Sequence, residues 1–115
     1  MAVCEPNATR RGKIQRAHGL PDAACFDSWE DLLDSDAGRL ADCVLICTQD
    51  QEHRAPAVAF ARRRYHIMLE KPMADNEPDC LAIAEAAESA GVILAVCHVL
   101  RYTPYMRKMR QLIED

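Results

Sequence analysis

A chain of 115 residues suits one small domain that can bury a working core. Half the residues are apolar, yet only one Trp, three Tyr and two Phe are among them, so aliphatic side chains must supply the bulk, as helices packed on a parallel sheet require. A net charge of −4, with acids and bases interspersed, gives no electrostatic reason to expect nucleic acid or an anionic membrane as partner.

Apolar runs such as Val92 to Cys97 are far too short to span a bilayer, and Met1 is followed by no basic-then-apolar leader, so a cytoplasmic protein is expected. Cysteines stand at 4, 25, 43, 47, 80 and 97, with no CxxC pair and no adjacent histidine pattern. Metal binding is therefore not expected, and the thiols are expected to be reduced and buried as small hydrophobes.

Apolar runs alternate with helical segments along the chain, the rhythm of an α/β fold. Ala2 to Cys4 reads as a short strand ending in Glu5-Pro6-Asn7. A helix follows over about Thr9 to His18, stopped by Gly19 and Pro21. Ala24 to Phe26 suits another short strand, and Ser28, with an acid three residues on, N-caps the next helix. Cys43 to Cys47 is apolar on both faces, as in a strand covered by helices above and below. A helix is expected from about Glu52 to Arg64, its basic last turn solvated and favoured by the helix dipole. His66 to Glu70 is the next strand, cut off by Pro72. Asp75 or Asn76 caps a helix through Ser89 that Gly91 ends. Val92 to Val99 is the last strand, and Thr103-Pro104 opens a helix still running at Asp115.

In an open α/β sheet, ligands bind beyond the carboxyl ends of the strands. The polar residues there are Glu5, then Thr48, Asp50 and His53, then Glu70 and Lys71, then His98, Arg101 and Tyr102. Glu5 stands where an acid accepts hydrogen bonds from the adenosine ribose of a dinucleotide, or it simply caps a loop amide. Lys71 is confined by Pro72, which fixes its own φ and restricts the residue before it. Its ammonium would then meet a ribose hydroxyl and a substrate alcohol, or pair with Glu70 as an ordinary strand-end salt bridge. His53, in the first turn of a helix, would either pack or touch a ligand.

Several short strings converge: Val44-Leu45-Ile46-Cys47-Thr48 with Asp50 and His53, then Glu70-Lys71-Pro72-Met73-Ala74, then His98-Val99-Leu100-Arg101-Tyr102-Thr103-Pro104. Together they resemble the Gfo/Idh/MocA oxidoreductases over essentially the whole chain. The resemblance implies NAD as cofactor, with NADP as the alternative, and hydride transfer to or from a sugar, a cyclitol or a similar hydroxyl compound. By the same likeness Glu5 binds the adenosine ribose, and Thr48 and His53 line the nicotinamide side. Glu70 and Lys71 bind the nicotinamide ribose, with Lys71 approaching the substrate as the catalytic residue. His98 and Arg101 join the cofactor set, and Arg101 sits where the dinucleotide domain hands over to the substrate domain. A cis Lys71-Pro72 bond and, as an option, a homo-oligomer also follow from the likeness.

The fold expected is an incomplete doubly wound parallel sheet of Rossmann type that lacks its first strand. None of Gly12, Gly19, Gly38 and Gly91 can make the family's Gly-rich loop. Residues 1–102 read as a partial dinucleotide-binding domain, and residues 103–115 as the start of a helix toward an absent substrate domain. Such a fragment is expected to be inactive alone. A non-catalytic remnant serving as a binding or regulatory module is the competing reading. A receiver-type signalling domain is a weaker one, because only Glu5 supplies acid after the first strand.

Overall fold

The computed structural model describes residues 1–114; the expected continuation of the last helix to Asp115 lies outside them. Among the described residues, ten helices and strands follow one another with β–α alternation. They fall into two compact units, Met1–Cys43 and a second that runs from Val44 onward.

In the first unit, strand β1 (Val3–Cys4) pairs parallel with β2 (Cys25–Phe26), in the register Val3 with Cys25. Helix α1 (Ala8–His18) connects them. It starts where the Asn7 side chain accepts the Arg10 N–H and ends at Gly19, which takes a left-handed φ of 61°. Helix α2 (Trp29–Asp34) begins in a full capping box: the Ser28 hydroxyl accepts the Asp31 N–H, and the Asp31 carboxylate accepts the Ser28 N–H. The spacing of Ser28 and Asp31 alone dictates that start.

The second unit is a three-stranded sheet in the order β3 (Cys43–Ile46), β4 (His66–Leu69), β5 (Leu94–Val96). Strands β4 and β5 run parallel, with Ile67, Met68 and Leu69 opposite Leu94, Ala95 and Val96. Helices α3 (Arg54–Arg62) and α4 (Glu77–Ala90) pack on each other, and Arg54 reaches Asp79 across them at 3.2 Å. Their inner residues Ala57, Ala61 and Ile83 meet Ile46, Ile67 and Leu69 in one buried cluster. A last helix, α5 (Pro104–Glu114), starts with the Thr103 hydroxyl accepting the Met106 N–H and exposes Tyr105, Leu112 and Ile113. Strands β1 and β3 lie in different sheets.

Four expectations need correction. Strand β3 is covered on one side only: Val44 and Ile46 turn toward the cluster, while Cys43, Leu45 and Cys47 are exposed. A continuous apolar run hides this alternation, because strand side chains change face at every residue. The thiols are accordingly not all core, since Cys43 and Cys47 are exposed and the other four are partly buried. Helix α3 stops at Arg62, because Arg64 takes a φ of 62° and turns the chain left-handed into β4. Tyr65 then stacks edge-on against Phe60, with ring centroids 5.2 Å apart.

Strand β5 is also shorter than the apolar run from Val92 to Val99. At its start the Val92 N–H returns to Ala87 and the Ile93 N–H goes to the His66 ring. At its end Val99 N–H bonds Cys97 across His98 (φ −79°, ψ 69°), an inverse γ-turn that leads into a 3-10 turn over Val99–Tyr102. A helix-end bond, the His66 ring and a γ-turn thus take the N–H groups of Val92, Ile93 and Val99 that a longer ladder would need.

Candidate functional site

Strand β4 is central in the second unit, so the segment leaving it stands between the ends of two neighbours. Glu70 N–H donates to the Ile46 carbonyl at 2.9 Å, which carries the pairing with β3 one residue past the strand. Cys97 N–H donates to the Leu69 carbonyl on the other side at 2.9 Å. The chain then turns: the Glu70 carboxylate accepts the backbone N–H of Lys71 at 2.8 Å, and the Lys71-Pro72 bond is cis, as expected. Lys71 is exposed. Among the described residues its ammonium forms no ion pair, so Glu70 holds the lysine's backbone rather than its charge.

Beneath this turn lies His53, completely buried at the residue before α3. Its Nδ1 is 2.9 Å from the Pro72 carbonyl oxygen, and its Nε2 is 3.2 Å from that of Thr48. The imidazole thus joins the loop after β3 to the loop after β4. The Thr48 hydroxyl is buried and has no hydrogen-bond partner among the described residues. A buried hydroxyl in that condition costs roughly 1–3 kcal/mol of desolvation unless some group completes it.

Of the residues expected at a site, Thr48, His53, Glu70 and Lys71 are joined through this loop pair. His98, Arg101 and Tyr102 are exposed in and beside the turn after β5, where the Arg101 N–H donates to the His98 carbonyl at 3.0 Å. Asp50 is exposed in a short 3-10 turn, its carbonyl facing the His53 N–H at 3.5 Å. Cys47 was not expected here. Burial pushes its thiol pKa up, with the Glu70 carboxylate and Cys97 as smaller causes. The period-two alternation from Leu45 was the signal that places Cys47 beside Glu70.

Glu5 belongs to the first unit. Its Oε1 accepts the Asn7 N–H at 2.8 Å and an Arg10 guanidinium N–H at 3.0 Å, while Arg11 donates to its carbonyl and pairs with Asp27 at 2.6 Å. The Asn7 amide first, and Arg10 next, hold the carboxyl below its usual range. Loop capping by Glu5 is therefore present. Both bonds fall on one oxygen, so the other keeps its capacity to accept.

Among the described residues no three His, Cys, Asp or Glu side chains gather as a metal site, and no helix is long and apolar enough to cross a membrane.

A family model described as an oxidoreductase family with an NAD-binding Rossmann fold matches residues 1–98. The chain is 29% identical to a 2,7-anhydro-N-acetylneuraminate hydratase of Escherichia coli over 69% of its own length and 21% of the relative's. It is 26% identical to the NADP(+)-dependent scyllo-inositol 2-dehydrogenase of Bacillus subtilis over 96% of its length and 32% of that protein. Among solved structures, the WlbA dehydrogenase of Bordetella pertussis, in complex with NADH and UDP-GlcNAcA, superposes with a TM-score of 0.85 at 26% identity. That match covers 99% of this chain and 31% of the other. The chain thus spans about a third or less of the length of these relatives.

Proposed function

The chain belongs to the Gfo/Idh/MocA oxidoreductase family, and from that membership we propose that it serves an NAD(P)-dependent enzyme moving hydride to or from a hydroxyl of a sugar, a cyclitol or a similar small molecule. One observation carries this reading: Lys71 leaves the central strand with its backbone held by Glu70 and its ammonium exposed and unpaired among the described residues. A cation in that state is available to a ligand at no cost of breaking a salt bridge.

The residues present also fit a nicotinamide nucleotide. The buried, unpartnered Thr48 hydroxyl supports binding of a polar group on that side, which a bound carboxamide or ribose would complete after a turn of the side chain. When bound, the nicotinamide supplies hydride acceptance or donation. Glu70 and Lys71 would hold ribose hydroxyls, with His98 and Arg101 contributing from the turn after β5. His53, fully buried, would support the nicotinamide side from behind through the carbonyls of Thr48 and Pro72.

Lys71 would donate a hydrogen bond to the reacting oxygen and stabilise the charge that grows on it. Glu5 would take ribose hydroxyls at the adenosine end. An acid there favours NAD, whereas Arg10 against its carboxylate tempers the repulsion of a 2′-phosphate and leaves NADP as the alternative. In this reading residues 1–102 are part of the dinucleotide-binding domain, and residues 103–115 lead toward a substrate domain of a cytoplasmic enzyme, with a homo-oligomer as an option.

Replacing Lys71 tests the proposal. In the intact protein, assayed with NAD and NADP against sugars and cyclitols, Lys71→Met should lower kcat on the order of 10²–10³-fold, while cofactor affinity stays within about tenfold. Near-normal kcat would reduce Lys71 to a structural residue. Cofactor binding without turnover on any alcohol, in the unmutated protein too, would favour the non-catalytic binding module.

A further inference from the structure

We propose that His53 is a positioning residue, whose Nδ1–H holds the Pro72 carbonyl and thereby fixes the backbone from which Lys71 reaches out. The role of Lys71 in this statement rests on the function proposed above; the state of the imidazole does not.

His53 stands immediately before α3, with helical φ and ψ of −69° and −37°, and its side chain makes no capping bond to the helix. Capping is the ordinary reason for a polar residue at a helix start, so the ring has been committed elsewhere. It is fully buried, and both of its nitrogens face carbonyl oxygens, Pro72 at 2.9 Å and Thr48 at 3.2 Å.

Two acceptors are one too many for a neutral imidazole, which has a single N–H. A doubly protonated ring would satisfy both carbonyls. A neutral ring satisfies one and sets a lone pair against the other, and the 2.9 Å contact is where the hydrogen belongs. Nδ1 therefore carries a proton in either state. That is a specific demand, because a free histidine side chain favours the Nε2–H form.

The consequence reaches Lys71 through one peptide unit. On its amino side the Lys71 N–H is tied to the Glu70 carboxylate, and on its carboxyl side the Pro72 carbonyl is tied to His53. The other ring nitrogen lies against the Thr48 carbonyl, so the same imidazole also fixes the loop that carries the unpartnered hydroxyl. Backbone pinned on both sides leaves an exposed lysine only its own side-chain torsions. A misplacement of about 1 Å at a reacting group is worth on the order of 100-fold in rate.

The substitutions can be chosen by atom. The Asn amide nitrogen falls near the position of Nδ1, and the Gln amide nitrogen near that of Nε2. In the intact protein, His53→Asn should keep kcat within about tenfold, whereas His53→Gln and His53→Leu should each lower it about 100-fold, with cofactor KM changed far less. Nitrogen-15 NMR of the unmutated protein should find Nδ1 protonated. An unprotonated Nδ1, or equal kcat for the Asn and Gln variants, would overturn the proposal, as would loss of thermal stability in all three with kcat intact. If His53→Leu does not fold, the NMR measurement and the Asn–Gln pair still decide. If Lys71→Met keeps its kcat, the reaction assigned to Lys71 fails, and the ring nitrogens alone then judge the clamp.

Discussion

In residues Met1–Cys43, Leu32 is the one apolar side chain less than a tenth exposed among the described residues, and helix α1 buries none. Order there comes from polar links: Asn7 and Ser28 capping their helices, Gln15 reaching Asp22 at 2.7 Å, Arg11 joining the Glu5 carbonyl to Asp27. From Val44 onward the balance reverses. Ile46, Ala57, Ala61, Ile67, Leu69 and Ile83 share one cluster, and Thr48, Glu70 and Lys71 stand at the strand ends. Polar links among half-exposed groups contribute about 0.5–1.5 kcal/mol each and respond to pH, whereas a close-packed cluster responds to lost volume. The two units should therefore fail under different insults.

Volume gives the largest difference. Leu69 is 0% exposed at the centre of the sheet, and Leu69→Ala should cost about 2–5 kcal/mol in denaturant melts. Leu32, 8% exposed with no other buried apolar residue in its unit, should cost less when cut to Ala, because its surroundings can close over the gap. Equal losses would show that Leu32 belongs to a core as rigid as that of Leu69 and would break the comparison.

The same contrast separates what the sequence discloses from what it hides. Gly19 and Gly91 stop α1 and α4 in the left-handed region, and Ser28 and Asn76 start α2 and α4, because those signals act within three or four residues. The ends of β3 and β4 were legible to about one residue, unlike those of β5, which is why Thr48, Glu70 and Lys71 stood out. Which face of β3 is covered was not, since Leu45 and Ile46 are equally apolar and only distant helices tell them apart. Nor was the engagement of His53: backbone carbonyls are its partners, and every residue offers one.

Acid should separate the units next. Glu5 has its carboxyl pKa lowered by the Asn7 amide and by Arg10, so its contribution exists above the ordinary carboxylate pKa and is lost as pH falls through the depressed folded value. Melts followed from neutral pH downward should show this loss in the native sequence, and Glu5→Gln should flatten it. Its Arg10 partner is 67% exposed, so the shift should be small beside that of Leu69→Ala. An acid profile that Glu5→Gln leaves unchanged would mean that the links around residues 5 to 11 carry no stability.

The thiols sharpen the comparison with the least disturbance, because labelling reads single sites. Cys4 lies in β1, and burial raises its pKa to about 11, with the acids Asp31 and Glu30 as lesser causes. A rise from the ordinary value near 9 to about 11 means about 100-fold less thiolate at neutral pH, and thiolate is the attacking form. Cys43 is exposed at the start of β3 and should react first. Cys47 is exposed as a residue, yet burial of its thiol and the nearby Glu70 carboxylate raise its pKa, so it should follow Cys43 and precede Cys4. Linkage runs opposite to that of Glu5. What the protonated Cys4 contributes is complete below the ordinary thiol pKa and disappears as pH rises through about 11. Mass spectrometry of peptides after timed alkylation at pH 7 and pH 9 gives the order directly. Labelling of Cys4 as fast as Cys43 at pH 7 would show that the pairing of β1 with β2 opens readily, and that polar links hold the first unit less firmly than their number suggests.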